Sequence, residues 1–372
     1  MVEVRRKKMT SSSMETIPTA ASDVRAVPGR IIVHEFRTGD ADRWDQFVLS
    51  QPEGSFFHLV AWKRAIERTF GFQSFYFYSE RDGQITAIVP LFFVANWVIG
   101  DCLHSVPFAV YGGICAADQE SRDVLLAHVK QLAVRKQVEH LDLHQRNGES
   151  IPGFHTNTLY SSFTTPLSAN PETNLKKLPR DTRYMIRKGE KAGLRAQHGL
   201  EQMNDFYGLF CESMRRLGTP VFPRALFENL MQEFGSQVDL TMIYSGARPI
   251  SGVMSFKFRD TFLPYYAGAN SMAPVLAANN FMYWHLMKFA AEHGFRSFDF
   301  GRSKKDTGAF HFKSQWGMTV ESLKYQVYLV RRKTVPNFSP VNPKFEMATR
   351  IWRKLPLGLT KHLGPRVVRW FP

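Results

Sequence analysis

The chain has 372 residues, 44% of them hydrophobic and 22% charged, which predicts a globular protein of two or three domains with a sizeable core. Its three cysteines are far apart and lack metal-binding spacing, which argues against a disulfide framework and structural zinc, so no metal site is predicted. The net charge of +15 lies in residues 1–30, 176–195 and 341–372, which carry +3, +6 and +6. This confinement argues against a general nucleic-acid-binding surface.

The N-terminal end, residues 1–30, is basic and polar and lacks the apolar core of a secretory signal, so we expect a disordered tail on a cytoplasmic protein. The apolar run Ile85–Gly100 is too short to span a membrane and is predicted to form two buried strands. Periodicity and turn signals predict these elements in the first half: a strand at 31–35, a helix at Asp40–Leu49, a helix at Phe57–Phe70 ended by Gly71, strands at Ser74–Ser79 and Ile85–Val94 joined by an Asp-Gly turn, a helix at Ser121–Gln137 capped by Ser121, and a strand at His140–His144.

The second half repeats this order of helices, β-meander, helix and strand. Its predicted elements are helices at Leu200–Leu217 and Arg224–Phe234, strands at Val238–Tyr244, Ile250–Phe258 and Thr261–Gly268, a helix at Asn280–Glu292 stopped by Gly294, and strands at Ser297–Phe300 and Lys324–Val330. The repetition predicts duplication of one α+β unit of about 140 residues. We place domains at 31–168 and 169–332, with tails at 1–30 and 333–372.

This element order resembles the tandem GNAT-type domains of the FemAB group of aminoacyl and acyl transferases. Five stretches resemble the FemAB-like branch linked to exopolysaccharide and PEP-CTERM/exosortase systems: FHLVAWKRAIERTFG (57–71), PRDTRYMIRKGEKAGL (179–194), SMRRLGTPVFPRALFENL (213–230), NNFMYWHLMKFAAEHG (279–294) and FDFGRSKKDTGAFHFKSQWG (298–317). The resemblance covers roughly residues 31–330. It implies an α+β fold of two tandem GNAT-like (acyl-CoA N-acyltransferase) domains, each a mixed β-sheet flanked by helices.

The resemblance also implies transfer of an acyl or aminoacyl group to an amine or hydroxyl of a cell-envelope or exopolysaccharide precursor. The donor would be acyl-CoA or aminoacyl-tRNA as co-substrate, with no tightly bound cofactor, and the partners a small-molecule or glycan acceptor and tRNA. The usual GNAT pyrophosphate loop, Arg/Gln-x-x-Gly-x-Gly/Ala, is absent from Ala267–Asn280, which reads AGANSMAPVLAANN. Two alternatives are a non-catalytic scaffold on the same fold and, less favoured by the charge pattern, a nucleic-acid-binding protein.

The working cleft is expected at Phe298–Gly317. Asp299 and Arg302 lie at the predicted end of a strand, beside Gly301, where the backbone can approach a ligand closely. Arg302 is a candidate clamp for a phosphate or carboxylate, and Asp299 a candidate general base. The alternative is an Asp299–Arg302 pair that shapes the turn.

Lys313 lies among aromatic residues and corresponds to the Lys of the family's Phe-Lys-x-x-aromatic-Gly pattern. An ammonium flanked by Phe312 and Trp316 is suited to stabilise a developing oxyanion, with Trp316 lining the cleft. The alternative is a surface lysine whose stem packs on the rings. We expect Lys313→Ala and Arg302→Ala to lose turnover with nearly normal thermal stability. Residues 304–308 are expected to form a mobile polar loop.

Four further residues are candidates near the predicted helix at Asn280. Tyr265 and Tyr266 lie on a strand, so alternation should direct one to the cleft and the other into the core. Asn279 and Asn280 mark a helix N-terminus that could bind donor anions, with a plain N-cap as the alternative. For His285, on the same helix, a structural role is favoured over the alternative of a catalytic base.

Two basic segments remain. Arg183 and Arg187 share a helical face with Arg180 that could bind donor phosphates or a tRNA acceptor stem; a solvated helix is the alternative. Residues 333–372 are expected to form amphipathic helices broken at Pro356 and at Gly364-Pro365. This segment is predicted either to contact anionic lipid at the inner face of the membrane or to pack on its own domain.

Overall fold

The computed structural model describes residues 29–96, 100–146, 150–335 and 343–372, so nearly all of the predicted N-terminal tail lies outside the described residues. The helices are α1 (Ala41–Ser50), α2 (Val60–Phe70), α3 (Gln119–Arg135), α4 (Pro171–Lys177), α5 (Arg180–Lys191), α6 (Met203–Leu217), α7 (Arg224–Phe234), α8 (Ala278–Glu292), α9 (Gly308–Ser314), α10 (Pro343–Lys354) and α11 (Leu357–Val368). Short 3-10 turns precede α1, α2 and α6 and follow α7.

The strands form two mixed sheets. They are β1 (Ile32–Glu35), β2 (Gln73–Arg81), β3 (Gln84–Val94), β4 (Cys102–His104), β5 (Cys115–Ala116), β6 (His140–Leu143), β7 (His155–Asn157), β8 (Tyr160–Pro166), β9 (Leu194–His198), β10 (Val238–Ser245), β11 (Arg248–Phe258), β12 (Thr261–Ala269), β13 (Ser297–Lys304), β14 (Thr319–Ser322) and β15 (Tyr325–Leu329). The first sheet has the order β1-β2-β3-β4-β6-β15-β7, with β5 on β3, and the second has the order β14-β8-β13-β12-β11-β10-β9.

The same arrangement occurs in both sheets. Four antiparallel strands, β1 to β4 or β9 to β12, are followed by a helix and by a strand parallel to the fourth. A parallel pair of strands needs a crossover connection. This connection contains α3 in the first sheet and α8 in the second. The predicted α+β class, with two mixed sheets flanked by helices, is confirmed.

The two halves exchange one strand each. β8 precedes the predicted boundary at residue 168 but pairs with β13 in the second sheet. β15 belongs to the predicted second domain but pairs with β6 in the first sheet. The predicted boundary therefore does not separate the sheets, because each sheet contains a strand from the other side of the boundary.

One core cluster is shared by both halves. The ring of Phe56 stacks on Phe234 and Phe256 with centroids 4.0 and 4.4 Å apart, and Trp62 is fully buried beside them. A second cluster lies between the second sheet and α5 and α8, and a third between the first sheet and α3. Burial of this shared aromatic cluster stabilises the halves as one body.

Several local predictions need correction. The cap of α3 is Asp118, whose carboxylate accepts from the Ser121 N–H at 2.8 Å, because the helix begins two residues before Ser121. One strand, β3, fills the described part of the Ile85–Gly100 run up to Val94. The predicted loop at 304–308 is the end of β13, a turn and the start of α9, which Thr307 caps.

The C-terminal segment packs on the body of the molecule. Thr360, Gly364 and Val368 of α11 are buried, and a Cβ on Gly364 would lie 2.7 Å from the Val221 side chain. Pro356 separates α10 from α11 as predicted, but Pro365 lies inside α11. Close packing at Gly364 explains why α11 continues through Pro365, because tertiary contact can stabilise a helix that a proline would otherwise kink.

Candidate functional site

The parallel strands β12 and β13 separate after a short contact. Their ladder consists of Thr261 with Ser297 and Phe262 with Phe298. Beyond this point a cavity of about 270 Å3 lies between them, which we call the strand-gap cavity. Its lining consists of Phe108, Phe222, Tyr265, Tyr266, Phe300, Gly301, Arg302, Lys313, Phe371 and Pro372. The cavity thus joins the two tyrosines to the predicted Arg302 and Lys313.

Both tyrosines line this cavity, which contradicts the prediction that they point to opposite faces. In the β11–β12 ladder Met254 pairs with Tyr266 and Ser255 with Pro264, so Tyr265 is an extra residue in a β-bulge. A bulge breaks the alternation of side chains and re-aims one of them. The two rings lie 4.7 Å apart, and the Tyr265 hydroxyl donates to the Phe108 carbonyl at 2.6 Å.

A second bulge lies opposite, in β13. The ladder to β8 shifts between Asp299 and Arg302, and Gly301 has a φ of 65°, a left-handed conformation that favours glycine. β13 continues past Phe300 to Lys304, so the predicted strand end is wrong. The bulge turns three successive carbonyls, those of residues 300–302, towards α9.

The Lys313 ammonium, on α9, binds these carbonyls. Its Nζ donates to the carbonyls of Phe300 at 2.5 Å, Arg302 at 3.0 Å and Gly301 at 3.5 Å. Burial lowers the pKa of Lys313 to about 8, although the Asp299 carboxylate acts in the opposite direction. Lys313 therefore lines the cavity as an enclosed charge that also holds the bulge, which rules out the surface-lysine alternative.

Arg302 lies between the two sheets. Its Nη1 donates to the Tyr325 hydroxyl at 3.1 Å, and its guanidinium lies 4.8 Å from the centroid of the Tyr160 ring. Among the described residues Tyr325 is its one hydrogen-bond acceptor, so most of its five donors are available to a ligand. The alternative of an Asp299–Arg302 ion pair is not observed within the described part of the chain, because Arg302 is directed towards the tyrosines.

Asp299 is sealed inside the protein, with 3% of its surface exposed. Its carboxylate accepts from the Gly301 N–H at 2.7 Å and from the Tyr111 hydroxyl at 3.4 Å. Burial raises the pKa of Asp299, and the hydrogen bond from Gly301 opposes this rise. Asp299 does not line the strand-gap cavity, so its contacts fit a residue that shapes the β13 bulge.

The buried loop 105–113 joins the two sheets, and sequence reasoning missed it. Its Phe108 and Val110 carbonyls accept hydrogen bonds from the Tyr265 and Tyr325 hydroxyls. Val106 and Phe108 have positive φ angles of 53° and 63°, a strained conformation for these residues. Strained backbone concentrates at functional sites, so these two residues mark the loop as part of the site. The sequence does not reveal φ angles, so this signal is visible only in the structure.

A larger cavity, of about 630 Å3, shares Arg302 and Pro372 with the strand-gap cavity. We call it the histidine cavity. Its polar lining includes Cys102, His104, His140, Asp142, His144, Thr156, Asn157, Tyr160, Arg302, Lys305, Asp306 and Tyr325. The signal in the sequence was HLDLH (140–144), where alternation places three polar side chains on one face of a buried strand.

Other predicted residues lie outside both cavities. Asn279 and Asn280 are inside the first turn of α8, whose N-cap is Ala277, so the N-cap alternative is wrong. Trp316 is 1% exposed and packs on Phe300 in the second core cluster, so it does not line the cleft. The reason is that the chain directly after α9 turns this ring into the core.

The basic helix α5 also lies outside the two cavities. Thr182, Ile186 and Gly189 form its buried face, which packs on α8. Arg183 is partly buried and Arg187 is exposed. The shared basic face of the prediction is therefore compatible with the orientation of the helix.

His285 is placed in a separate cluster. Its Nε2 lies 2.9 Å from Nε2 of His198, whose Nδ1 is 3.0 Å from the Asp239 carboxylate. Burial lowers the pKa of His285 to about 4. This chain of contacts agrees with the structural role expected for His285.

None of the helices in the described ranges combines the length and apolarity needed to cross a membrane. The profile of the family described as "Acetyltransferase (GNAT) domain" matches residues 176–314, which include β12, β13 and Lys313. Comparison with curated protein sequences gives no significant match.

Solved structures show the same architecture over most of the chain. FemX is similar with a TM-score of 0.64 and 15% identity, over 81% of this chain and 98% of that chain. A tandem GNAT protein from the clavulanic acid biosynthesis pathway has a TM-score of 0.53 and 10% identity, over 82% and 100%. L-PGS from Bacillus licheniformis has a TM-score of 0.52 and 13% identity, over 85% and 97%. The chain therefore has the mixed α+β fold of tandem GNAT proteins, with residues 176–314 matching the acetyltransferase (GNAT) domain family.

Proposed function

We propose that the chain is an acyl or aminoacyl transferase whose donor places its reactive carbonyl in the strand-gap cavity. The observation that carries this proposal is the separation of β12 and β13 around Arg302, a guanidinium enclosed between the sheets with most of its donors available. A gap between parallel strands exposes backbone groups inside the sheet, and these can bind an extended donor arm.

Acyl transfer develops negative charge on the carbonyl oxygen. Preorganised donors and positive charge in a water-poor site stabilise that charge most effectively. Arg302 supplies the hydrogen-bond donors. The N–H groups of Lys313 are already bound to carbonyls, so Lys313 contributes its positive charge from the lining of the same cavity. Asp299 acts in this scheme as a positioning residue for the bulge that presents both cations.

The donor is an acyl-CoA or an aminoacyl-tRNA, both of which bring phosphates. Two features support phosphate binding outside the cavity. One is the basic face of α5, with the partly buried Arg183 and the exposed Arg187. The other is the first turn of α8 at Asn279 and Asn280, whose backbone N–H groups have no acceptor among the described residues. The absence of the usual pyrophosphate loop favours the tRNA ester over the thioester.

The acceptor is an amine or hydroxyl of a cell-envelope or exopolysaccharide precursor, bound in the histidine cavity. The cavity volume of about 630 Å3 and its polar lining suit a glycan-sized ligand. Arg302 borders both cavities, so donor carbonyl and acceptor would meet beside it. The five stretches that resemble exopolysaccharide- and exosortase-linked proteins support this acceptor class.

Action at the inner face of the membrane is part of the proposal. Met347 and Ile351 lie one turn apart on α10 with 66% and 55% of their surfaces exposed, beside Arg350 and Lys354. A basic helix with exposed apolar side chains binds anionic lipid surfaces. The inward face of the C-terminal segment packs on the protein, which leaves this outer face for contact.

Calorimetry with the full chain tests the donor. Acetyl-CoA and longer acyl-CoAs form one arm, aminoacyl-tRNA a second and uncharged tRNA a third, and mass spectrometry then follows product formation with amino-sugar and hydroxyl acceptors. We expect one donor class to bind and to yield an acylated product. Binding without any product would support a non-catalytic scaffold, and no binding in any arm would contradict the proposal.

A matched pair of variants localises the effect. Arg302→Lys keeps the charge but loses the planar set of donors, and we expect donor turnover to fall at least 10-fold. Arg248→Lys, an exposed residue on β11, is the control and should match the wild type. Equal turnover in both variants would exclude Arg302 from the site.

A further inference from the structure

The side chains of His104, Asp142 and His144 converge on the wall of the histidine cavity. His104 ends β4 and pairs directly with Asp142 in the parallel ladder between β4 and β6. His144 follows Asp142 by two residues and so lies on the same face. One potential ligand atom from each of these residues lies within 4.8 Å of the others.

The spacing of these atoms is too long for hydrogen bonds. Oδ2 of Asp142 is 3.6 Å from Nδ1 of His104 and 3.7 Å from Nε2 of His144. Ligands held about 2.0–2.1 Å from a tetrahedral Zn2+ lie roughly 3.3 Å apart. The two measured separations exceed this value by about 0.3–0.4 Å, and the remaining pair of ligand atoms lies within 4.8 Å. Side-chain movement of at most about 1.5 Å for any pair would therefore bring all three atoms to one ion.

The tautomer of His144 follows from its other nitrogen. Nδ1 lies 3.2 Å from the Ala109 carbonyl, which accepts its N–H. Nε2 is therefore the nitrogen that faces the Asp142 carboxylate, at 3.7 Å. A backbone carbonyl on the distal nitrogen is the usual support of a metal-bound histidine.

Unpartnered buried atoms in the same cluster strengthen the case. His104 and His140 are 4% and 2% exposed. Nε2 of His104, Nδ1 of His140 and Oδ1 of Asp142 are buried and have no hydrogen-bond partner within the described part of the chain. Buried polar groups are rarely left unsatisfied, so these atoms indicate a polar ligand in the cavity beside the cluster, in addition to an ion on Nδ1 of His104 and Oδ2 of Asp142.

We propose that His104, Asp142 and His144 bind one divalent transition-metal ion of the Zn2+ class, with a fourth coordination position open to the histidine cavity. Two imidazoles and one carboxylate suit Zn2+ or Co2+ better than Mg2+ or Ca2+, which prefer oxygen ligands alone. Arg302 and Lys305 line the same cavity, so the open position takes an anionic oxygen donor, held by the metal and by these cations.

The test titrates chelator-treated full-length protein with Zn2+ by calorimetry and with Co2+ by visible absorption. We expect one ion per chain and the intense absorption of tetrahedral Co2+. Saturating Zn2+ should also raise the thermal midpoint of the wild type, since an ion that binds only the folded state stabilises it. If neither Zn2+ nor Co2+ binds with a dissociation constant of about 100 μM or lower, the proposal is overturned before any variant is made.

Variants then assign the site. Asp142→Asn keeps the side-chain volume, and His144→Gln keeps a polar group; each should weaken binding at least 10-fold. His293→Gln, on an exposed histidine at the end of α8, is the control and should leave affinity unchanged. If His198→Gln removes the binding while a folded Asp142→Asn retains it, the metal belongs to the His198–His285 cluster and the proposal is wrong.

Discussion

The guanidinium of Arg302 donates a hydrogen bond of 3.1 Å to the hydroxyl of Tyr325, and this contact crosses from the second sheet to the first. The same hydroxyl donates to the Val110 carbonyl at 2.7 Å. Tyr325 is on β15, the strand that the second half contributes to the first sheet. The strand exchange therefore places Tyr325 in the histidine cavity, bound to Arg302, which lines both cavities.

Tyr325→Phe should destabilise the protein. The change removes the acceptor of an enclosed Arg302 donor and leaves the Val110 carbonyl unpaired, which costs about 1–3 kcal/mol of the free energy of unfolding. Urea denaturation measures the loss. Tyr328→Phe, three residues along the same strand, is the matched control because its ring packs on Lys130 while no described hydrogen bond uses its hydroxyl. Equal losses in the two variants would contradict the role given to the Tyr325 hydroxyl.

Lys313→Met should also destabilise the protein, contrary to the expectation of nearly normal stability from the sequence. The ammonium binds three carbonyls of β13, so its removal deprives them of this donor and costs about 1–3 kcal/mol. Chemical denaturation against the exposed Lys324→Met, which we expect to change by less than about 0.5 kcal/mol, checks this. A Lys313→Met protein as stable as the control would show that the β13 bulge does not depend on the hydrogen bonds from Lys313.

Transferase activity should fall as the pH rises through about 8. The pKa of Lys313 is lowered from its ordinary value to about 8 by burial, so the ammonium that supplies positive charge is lost above that pH. A pH–rate profile from about pH 6.5 to 9.5 measures the fall. Lys313→Arg keeps its charge over this range and should flatten the profile. A rate that rises through about pH 8 in the wild type would instead indicate a neutral lysine acting as base.

Acid should weaken the fold through His58. Burial lowers the pKa of His58 to about 4, below its ordinary value of 6.5, so the unfolded chain binds a proton that the folded chain does not between these pH values. The free energy of unfolding therefore decreases as the pH falls below about 6.5, by about 2 kcal/mol at about pH 5 from this residue. Urea denaturation at about pH 7.5 and pH 5 should show a smaller difference for His58→Gln. The exposed His293→Gln should keep the wild-type difference; an unchanged difference in both would contradict the prediction.

Two glycines near each other should respond oppositely to alanine. A Cβ on Gly268 of β12 would lie 2.5 Å from the backbone nitrogen of Phe210 in α6, so Gly268→Ala must push the helix from the sheet. At Gly208, inside α6, a Cβ would have no atom within 4 Å, and Gly208→Ala should stabilise the protein by about 0.5–1 kcal/mol. Thermal unfolding compares the two, and destabilisation by Gly208→Ala would contradict the open space beside it.

Local signals are enough to predict most helices and strands. The predicted helix at Arg224–Phe234 has the bounds of α7, because a proline precedes it and Gly235 ends it. The repeated order of elements, together with the resemblance of five stretches to the FemAB group, predicts the tandem GNAT-like fold. The predicted Arg302 and Lys313 do meet in one cavity, since both lie close together in the chain on either side of a turn.

The site itself depends on features that have no local signature. Tyr265 and Tyr266 share a cavity because of a bulge in the β11–β12 ladder that contains them. Trp316 is predicted to line the cleft but is buried in the core. The loop 105–113 was missed because its value lies in contacts with residues far along the chain.

The amino-acid sequence by itself determined the order of elements, because periodicity and turn residues act over short distances, and its resemblance to a known family indicated the fold class and the segment that carries Arg302 and Lys313. Only the tertiary structure decided how β8 and β15 exchange between sheets, where the β12–β13 gap opens, and that His104 meets Asp142 and His144. These relationships arise from strand pairing and burial across the whole chain, where residues far apart in sequence become neighbours by register.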